Sequence, residues 1–230
     1  KTVANAAMRN VHFRRAVMYS IDRATMVAQR KGEDLKYNCM INAYVPGNFV
    51  YLSKEVTVDI NGESVTFPAG TAYGTIRQRQ LEADGSTMKT FDEETGLGTG
   101  FDGWYNPEAA NAELATAIEE LAAQGYEISA ENPVYLDIAS FTGNDSFKNQ
   151  DQALKQSVES VLGGVVIVNI VPCDTQKDWL NATYYPNTGA EMNFNIGNNG
   201  GWGPDYGDPK SYLDTLLPGG NGMTKSFGLF

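Results

Sequence analysis

A carboxylate and two aromatic side chains stand close together in a glycine-rich loop, Gly200-Gly-Trp-Gly-Pro-Asp-Tyr-Gly-Asp-Pro209. The combination is typical of ligand binding, because glycines let the main chain of a ligand approach the protein backbone closely. A turn that ends in a helix cap explains the last residues of the loop. It does not explain why Trp202, Asp205 and Tyr206 are gathered on one segment, so the pattern favours a binding role.

The loop lies between two predicted regular elements. Upstream, polar and apolar residues alternate over Glu191–Ile196, which predicts a strand. Downstream, Asp208 and Pro209 are the cap and first residue of a short helix that continues over residues 210–217. Ligands of open α/β sheets bind in this position, between the end of a strand and the next helix.

The rest of the chain alternates between helices and strands. Apolar spacing and capping residues predict helices over 12–19, 23–29, 106–124, 146–162 and 175–179, and strands over 133–139 and 165–171. The second strand is apolar enough to be buried on both faces. The alternation predicts a sheet with parallel pairs covered by helices, an α/β fold.

Residues 50–103 interrupt this alternation, and we refer to them as the excursion. Val56–Ile60 and Glu63–Phe67 flank Asn61-Gly62, which predicts a hairpin with a type I′ turn. The last part of the excursion is rich in glycine and predicts a loop.

Composition limits the classes of function. With 17 basic and 28 acidic residues, the formal net charge of −11 argues against a nucleic-acid partner. No apolar run reaches the length of a membrane-spanning helix, and the pattern of a signal peptide is absent. Cys39 and Cys173 are far apart, so one disulfide and two separate thiols both remain open.

The sequence offers no set of catalytic residues. His12 is the single histidine, and it lies among core-type residues of a helix, where a capping or surface role is the expected one. Without a second histidine, the common hydrolase triads and histidine-rich metal sites lack their central group. The Gly-x-Gly run at 96–100 lacks the strand-to-helix context of a nucleotide site, and the run at 200–203 lacks the third glycine. We therefore expect no enzyme activity, no cofactor and no metal.

The glycine-rich loop resembles the Trp-x-x-Asp-Tyr-x-Asp/Glu-Pro segment of extracellular solute-binding proteins of family 5, which supply oligopeptides to ABC importers. A second match is Asn10-Val-His-Phe-Arg-Arg-Ala-Val-Met-Tyr-Ser-Ile-Asp-Arg23, where a short helix ends in an Asp-Arg pair. The two matches stand in the family's order and at about its separation. The resemblance implies a lobe of the type II periplasmic-binding-protein fold, with a mixed sheet flanked by helices.

In the family that the loop resembles, the aspartate of the Asp-Tyr pair holds the α-ammonium group of the peptide, and that position is Asp205. By the same matching, the segment Asn199–Gly203 pairs with the peptide backbone, and Trp202 forms a wall of the site. Tyr206 either does the same or packs into the sheet. The implied peptide-binding residues are Asn199, Gly200, Gly201, Trp202, Gly203, Asp205 and Tyr206. Some relatives carry a basic residue or a cysteine where this chain has Asn199 and Gly203, so side-chain preference is not implied.

The resemblance also implies the role of the whole protein. It is the capture of extracellular oligopeptides for the permease of an ABC importer, at the outer face of the membrane or in the periplasm. Family members are about twice as long and close two lobes around the ligand. Residues 1–230 are therefore expected to form one lobe, with the second lobe and a lipid anchor elsewhere in a longer polypeptide.

Three alternatives remain open at this stage. The first is a receptor for another amine-bearing solute on the same fold. The second is a surface signalling or adhesion protein that no longer takes part in transport. The third, a peptide hydrolase, needs a nucleophile–base pair that the sequence does not show.

Overall fold

The computed structural model describes residues 2–37, 40, 42–43, 45–94, 103–192, 194–197, 206–214 and 217. These residues form a mixed α/β structure, as predicted. Its regular elements, in chain order, are α1 (Thr2–Arg9), α2 (Val11–Tyr19), α3 (Arg23–Lys31), β1 (Val56–Ile60), β2 (Glu63–Phe67), α4 (Tyr73–Ala83), α5 (Pro107–Ala123), β3 (Val134–Phe141), α6 (Asp145–Val161), β4 (Val166–Cys173), α7 (Gln176–Thr183) and α8 (Pro209–Leu213).

Side-chain caps fix where the helices begin. In each case a side-chain oxygen of the residue before the helix accepts a hydrogen bond from a backbone N–H of the first turn, which would otherwise lack a partner. The capping residues are Asn10, Asp22, Asn106, Asn144, Thr175 and Asp208. The predicted starts of these helices are confirmed to within one residue, since Ncap chemistry is local.

Strands β3 and β4 form a parallel pair that α6 connects. The register runs from Val134 opposite Val166 to Phe141 opposite Cys173. On one face of this pair, the side chains are buried against α1, α2, α5 and α6. They belong to the main core, whose large, fully buried members include Phe13, Leu121, Leu136, Ile138, Val158 and Val168.

A smaller apolar cluster covers part of the opposite face. Trp179 of α7 packs against Ala139 and Cys173, and its indole N–H donates to the carbonyl oxygen of Ala139 at 3.1 Å. Cys173 is a free, buried thiol, and burial raises its pKa above the ordinary value, with smaller contributions from Asp178 and Asp174. Cys39 lies outside the described residues.

The prediction that the second strand is buried on both faces is wrong. Val166 and Val168 are buried, but Asn169 is exposed and Val171 is 40% exposed. The cluster around Trp179 covers only the carboxyl end of the second face, so the middle of β4 is open on that side. The apolar run therefore reflects burial on one face, while Ile167 on the other face is only partly buried.

The outer edge of β4 is closed by two side chains of α6. Glu159 accepts a hydrogen bond from the Val168 N–H at 2.9 Å, and Lys155 donates to the Val168 carbonyl oxygen at 2.6 Å. Lys155 and Glu159 also pair with each other at 2.5 Å. We refer to Lys155, Glu159 and the Val168 backbone as the edge clasp. It occupies both backbone groups through which another strand would pair at this residue.

The excursion contains the predicted hairpin and a helix that was not predicted. Strands β1 and β2 pair antiparallel, and Asn61 and Gly62 both have positive φ angles, 52° and 86°. Positive φ at both positions is what a type I′ turn requires. Helix α4 follows the hairpin, and it was missed because Gly74 is its one buried residue and no apolar stripe marks it. Helix α1 was missed for a related reason, since its buried residues are the small Ala4 and Ala7.

The ring of Phe91 fills a notch between two glycines. A Cβ atom at Gly47 would lie 2.2 Å from the ring, and one at Gly74 would lie 2.3 Å from it. The Gly74 N–H donates to the Gly47 carbonyl oxygen at 2.9 Å, so the two glycine backbones are joined beside the ring. This glycine notch attaches the start of α4 to the turn at Pro46–Phe49.

Gly74→Ala tests the glycine notch. Alanine has the higher intrinsic helix propensity, yet we expect the substitution to lower the free energy of unfolding by about 1–3 kcal/mol, because the new methyl group would overlap the Phe91 ring and lie 2.7 Å from the Gly47 Cα atom. Chemical denaturation measures the change. The double variant Gly74→Ala/Phe91→Leu should recover part of the loss, and a Gly74→Ala variant as stable as wild type would contradict this packing.

Glu159→Ala tests the edge clasp. Removing the carboxylate leaves the partly buried Val168 N–H without its acceptor, so we expect the free energy of unfolding to fall by about 1–3 kcal/mol. Hydrogen exchange should report faster exchange at the Val168 amide. Glu119→Ala is the matched control, because Glu119 is exposed on α5. Equal losses in the two variants would show that the clasp contributes nothing.

Candidate functional site

The structure describes the downstream end of the glycine-rich loop, Tyr206, Gly207 and Asp208. Six of the predicted peptide-binding residues lie outside the described residues: Asn199, Gly200, Gly201, Trp202, Gly203 and Asp205. The surroundings of the loop are described on both sides. They show what holds the chain before the loop and the helix after it.

Tyr206 is the predicted binding residue that the structure describes. Its side chain is 76% exposed, so the alternative in which it packs into the sheet is wrong. Its carbonyl oxygen accepts a hydrogen bond from the Asp208 N–H at 2.9 Å. The backbone is therefore held while the ring remains accessible to a ligand.

Upstream, the chain is attached to the free edge of β3. The Asn195 side-chain oxygen accepts from the Asp137 N–H at 2.9 Å. The N–H groups of Asn195 and Ile196 both donate to the Asp137 carbonyl oxygen, at 2.8 and 3.1 Å. Asp137 thus has both backbone groups bound on the edge that faces away from β4.

The predicted strand over Glu191–Ile196 is wrong as a continuous element. A 3₁₀ turn occupies Gly189–Glu191, and a single parallel bridge joins Ile196 to Ile138. The prediction holds at Ile196, which pairs with β3 through this bridge. At Asn195, a side-chain oxygen and not a backbone carbonyl accepts the hydrogen bond from the Asp137 N–H. Because the bridge is parallel, the chain passes Ile196 in the direction of the carboxyl end of β3. This is the end of an α/β sheet where ligands bind.

Downstream, the Asp208 cap and an aromatic contact hold the chain. The Asp208 carboxylate accepts from the Lys210 N–H at 2.7 Å and starts α8, as predicted. Tyr212 of α8 makes a T-shaped contact with Phe49, with ring centroids 5.7 Å apart at 60°. A Cβ atom on Gly207 would lie 3.9 Å from the Phe49 ring, so the ring is also close to the loop backbone.

The segment Asn10–Arg23, the second part of the sequence resemblance, has a structural role. Asp22 caps α3, while the guanidinium of Arg23 lies 4.9 Å from the centre of the Trp104 ring and donates to the Asn42 side-chain oxygen. Trp104 in turn donates its indole N–H to the Met18 carbonyl oxygen. Arg23 therefore connects the chain before the excursion to the chain after it.

His12 joins two helices. Its Nδ1 lies 2.5 Å from Glu113 Oε2, and its side chain is 30% exposed. The contact links α2 to α5, which fits a structural role. Within the part of the chain that the structure describes, no cluster of His, Cys, Asp and Glu side chains is arranged to hold a metal ion, and no helix has the length and apolar character needed to cross a bilayer.

Comparison with known families gives the decisive observation. The model of the bacterial extracellular solute-binding proteins, family 5 Middle, matches residues 2–224. The chain belongs to this family. Its members are binding proteins, and the resemblance inferred from the two sequence segments is confirmed.

Individual members of family 5 with curated names are similar over the whole chain. Oligopeptide-binding protein SarA of Streptococcus gordonii is 33% identical over 230 residues, which are 99% of this chain and 30% of SarA. Oligopeptide-binding protein AmiA of Streptococcus pneumoniae serotype 4 is 30% identical over 227 residues, 99% of this chain and 31% of AmiA. The chain therefore spans about 30% of the length of these relatives.

Two solved structures are also similar to this member of family 5. One is the substrate-binding domain of an oligopeptide ABC transporter from Bacillus anthracis str. Ames, with a TM-score of 0.46, 18% identity, and coverage of 89% of this chain and 28% of that chain. The other is Haemophilus influenzae OppA in complex with RPPGFSPFR, with a TM-score of 0.47, 16% identity, and coverage of 95% of this chain and 30% of that chain.

Two residues beside the loop were missed at the sequence level, Phe49 and Tyr212. Neither belongs to a motif, and they are far apart along the chain. The periodicity of the predicted helix after Asp208 includes Tyr212, but no pattern indicates its partner. Only the fold brings the two rings together.

Asn195→Ala tests the upstream attachment. The variant leaves the Asp137 N–H without its side-chain acceptor, so we expect the free energy of unfolding to fall by about 1 kcal/mol and the Asp137 amide to exchange faster. Denaturation and hydrogen exchange measure the two effects. Asn187→Ala is the control, because Asn187 is exposed. Unchanged exchange at Asp137 would contradict the attachment.

Proposed function

We propose that this chain is a ligand-binding lobe of an oligopeptide-binding protein that delivers peptides to an ABC permease. Family membership over residues 2–224 supports the proposal, as do relatives that are named oligopeptide-binding proteins. The observation that carries it is the glycine-rich loop, in which Trp202, Asp205 and Tyr206 stand at the positions of the family motif.

The proposed chemistry uses the parts that all peptides share. Asp205 holds the α-ammonium group through a charge-assisted hydrogen bond, which contributes about 1.5–3 kcal/mol when water is partly excluded. The segment Asn199–Gly203 pairs with the peptide backbone as an added strand, and its glycines permit the close approach. Trp202 and Tyr206 provide flat walls for side chains of varied type.

The described frame around the loop supports this assignment. The chain is attached to β3 before the loop, through Asn195 and Ile196, and it is capped at Asp208 after the loop. A ligand site of this kind needs fixed ends, because an anchor that moves loses affinity to the entropy of ordering it. The exposed ring of Tyr206 is consistent with a surface that a ligand covers.

The proposal for the whole protein extends beyond these residues. The relatives are about three times as long as this chain, so the expected factor of about two is wrong. We take residues 1–230 as one lobe, and a second lobe supplies the opposite wall of the cleft. Closure of the lobes around the peptide is the hinge motion that the permease recognises. The protein acts at the outer face of the cell membrane, held there by a lipid, and it catalyses no reaction.

Calorimetric titration of the full-length protein with free and N-acetylated peptide mixtures tests the proposal. We expect free peptides to bind, and we expect both acetylation and Asp205→Asn to weaken binding at least tenfold, which corresponds to about 1.4 kcal/mol. The two changes should not add, because each removes the same contact.

Asp208→Asn is the matched control for this titration. It removes a carboxylate from the same loop but keeps an oxygen that can cap α8, so peptide affinity should stay at the wild-type level. Equal binding in every combination would refute the ammonium anchor. If no peptide binds to the wild type, the oligopeptide function itself is wrong.

A further inference from the structure

Within the described residues, one face of the β3–β4 pair is covered only near its carboxyl end. The main core takes alternate residues of both strands, so the residues between them lie on the opposite face. Tyr135 and Asp137 of β3 lie there beside Ile167 and Asn169 of β4, in parallel register. Val171 follows on β4, toward the apolar cluster that α7 covers. We refer to these five residues as the open face.

The open face is accessible where a parallel sheet is normally buried. Tyr135 is 54% exposed and Val171 is 40% exposed. Asn169 is exposed as well, while Asp137 and Ile167 are partly buried. Parallel strands occur almost only in sheets that are covered on both faces, and two strands alone are marginally stable in water. The open face therefore has the character of a surface that another element covers.

The edges of the strand pair favour a partner that packs on the face over one that adds a strand. The edge clasp occupies the backbone of Val168 on β4, and Asn195 and Ile196 occupy the backbone of Asp137 on β3. A further strand would have to displace these groups. Helix α7 shows the other mode, because its Trp179 packs on the carboxyl end of this same face. A helix is therefore the element that fits the open face.

The open face is apolar at its margins and polar at its centre. Asn169 Nδ2 donates to Asp137 Oδ1 at 3.2 Å. In the register of the pair, Tyr135 and Ile167 precede this polar contact and Val171 follows it. Covering a carboxylate costs free energy unless it gains hydrogen bonds. The covering helix therefore needs apolar side chains against the margins and a hydrogen-bond donor opposite Asp137.

We propose that an amphipathic helix of the longer polypeptide, outside residues 1–230, packs on the open face. SarA and AmiA are similar over 99% of this chain, yet the chain covers only 30% and 31% of their lengths, so such a polypeptide has ample sequence to supply the helix. A separate partner fits less well, because a specific protein interface uses about 20–30 residues a side and the open face has far fewer. A tethered helix needs no such area, since its effective concentration is high.

This inference rests on one part of the proposed function, which takes residues 1–230 as one lobe of a longer protein. It does not depend on the peptide anchor.

Photo-crosslinking of the full-length protein tests the inference. A benzoylphenylalanine probe replaces Tyr135 in one variant and Val171 in another, and mass spectrometry maps the products. We expect both probes to react with one segment of the same polypeptide outside residues 1–230. The four-residue step along the strands is about 13 Å, so the two products should lie about nine residues apart on a helix and about four on an extended segment. The probe at Tyr51, which is 56% exposed, is the control and should not reach that segment.

Hydrogen exchange on full-length variants gives a second measurement. Tyr135→Lys places a charge under the helix, so we expect amides of the cross-linked segment to exchange at least tenfold faster. Tyr135→Phe keeps the ring and should leave the exchange unchanged. Tyr51→Lys is the matched control and should also leave it unchanged. Wild-type exchange in Tyr135→Lys would contradict the proposal.

Each other outcome overturns the inference in a distinct way. Cross-links confined to residues 1–230 would show that this chain covers its own open face, and cross-links between two polypeptides would show that a second copy does. Products four residues apart would replace the helix with an extended segment, and the lack of any product would show that the face is bare. Peptide titration of the same wild-type protein separates the two proposals. A protein that binds free peptides but lacks the cross-link loses this inference alone, whereas one that gives the cross-link but binds no peptide loses only the oligopeptide function.

Discussion

The structure depends on strand β3, which uses both of its edges and both of its faces. One edge pairs with β4 in parallel register, and the other binds Asn195 and Ile196 through the backbone of Asp137. One face packs on the main helical core, while Ala139 on the other face receives the Trp179 indole. Because Asn195 and Ile196 are attached to this strand, packing in the core determines where these two residues before the glycine-rich loop lie.

The helix that follows the loop depends on a different part of the chain. Phe49, whose ring contacts Tyr212 of α8, belongs to a turn that the glycine notch attaches to α4. That region is connected to the helical core through Arg23, which binds Asn42 and stacks on Trp104. The excursion, which interrupts the α/β alternation, therefore takes part in holding the helix that follows the loop. Different parts of the structure hold the chain before the loop and the helix after it.

Features that depend on contacts between residues close in sequence could be predicted, whereas those that depend on residues far apart in sequence could not. The caps at Asp22, Asn106 and Asp208 and the turn at Asn61-Gly62 act within a few residues, and all were predicted correctly. Helix α4 carries no apolar stripe, so periodicity could not indicate it. The strand predicted over Glu191–Ile196 was too long. Alternation of polar and apolar residues does not show whether the neighbouring strand has a free edge to pair with along the whole segment. The candidate binding residues came from the family motif, and their roles remain predictions, while the contact of Phe49 with Tyr212 leaves no trace in the sequence.

The edge clasp affects which strand edges of the protein remain open to pairing with another polypeptide. A protein that pairs with peptide backbones must offer unpaired N–H and C=O groups at one place and withhold them at others. At Val168 the outer edge of β4 is already bound by Lys155 and Glu159, so a peptide that paired there would first have to displace a carboxylate and an ammonium group from the backbone. The clasp therefore discourages the pairing of any extended segment at this edge, including pairing between two copies of the sheet.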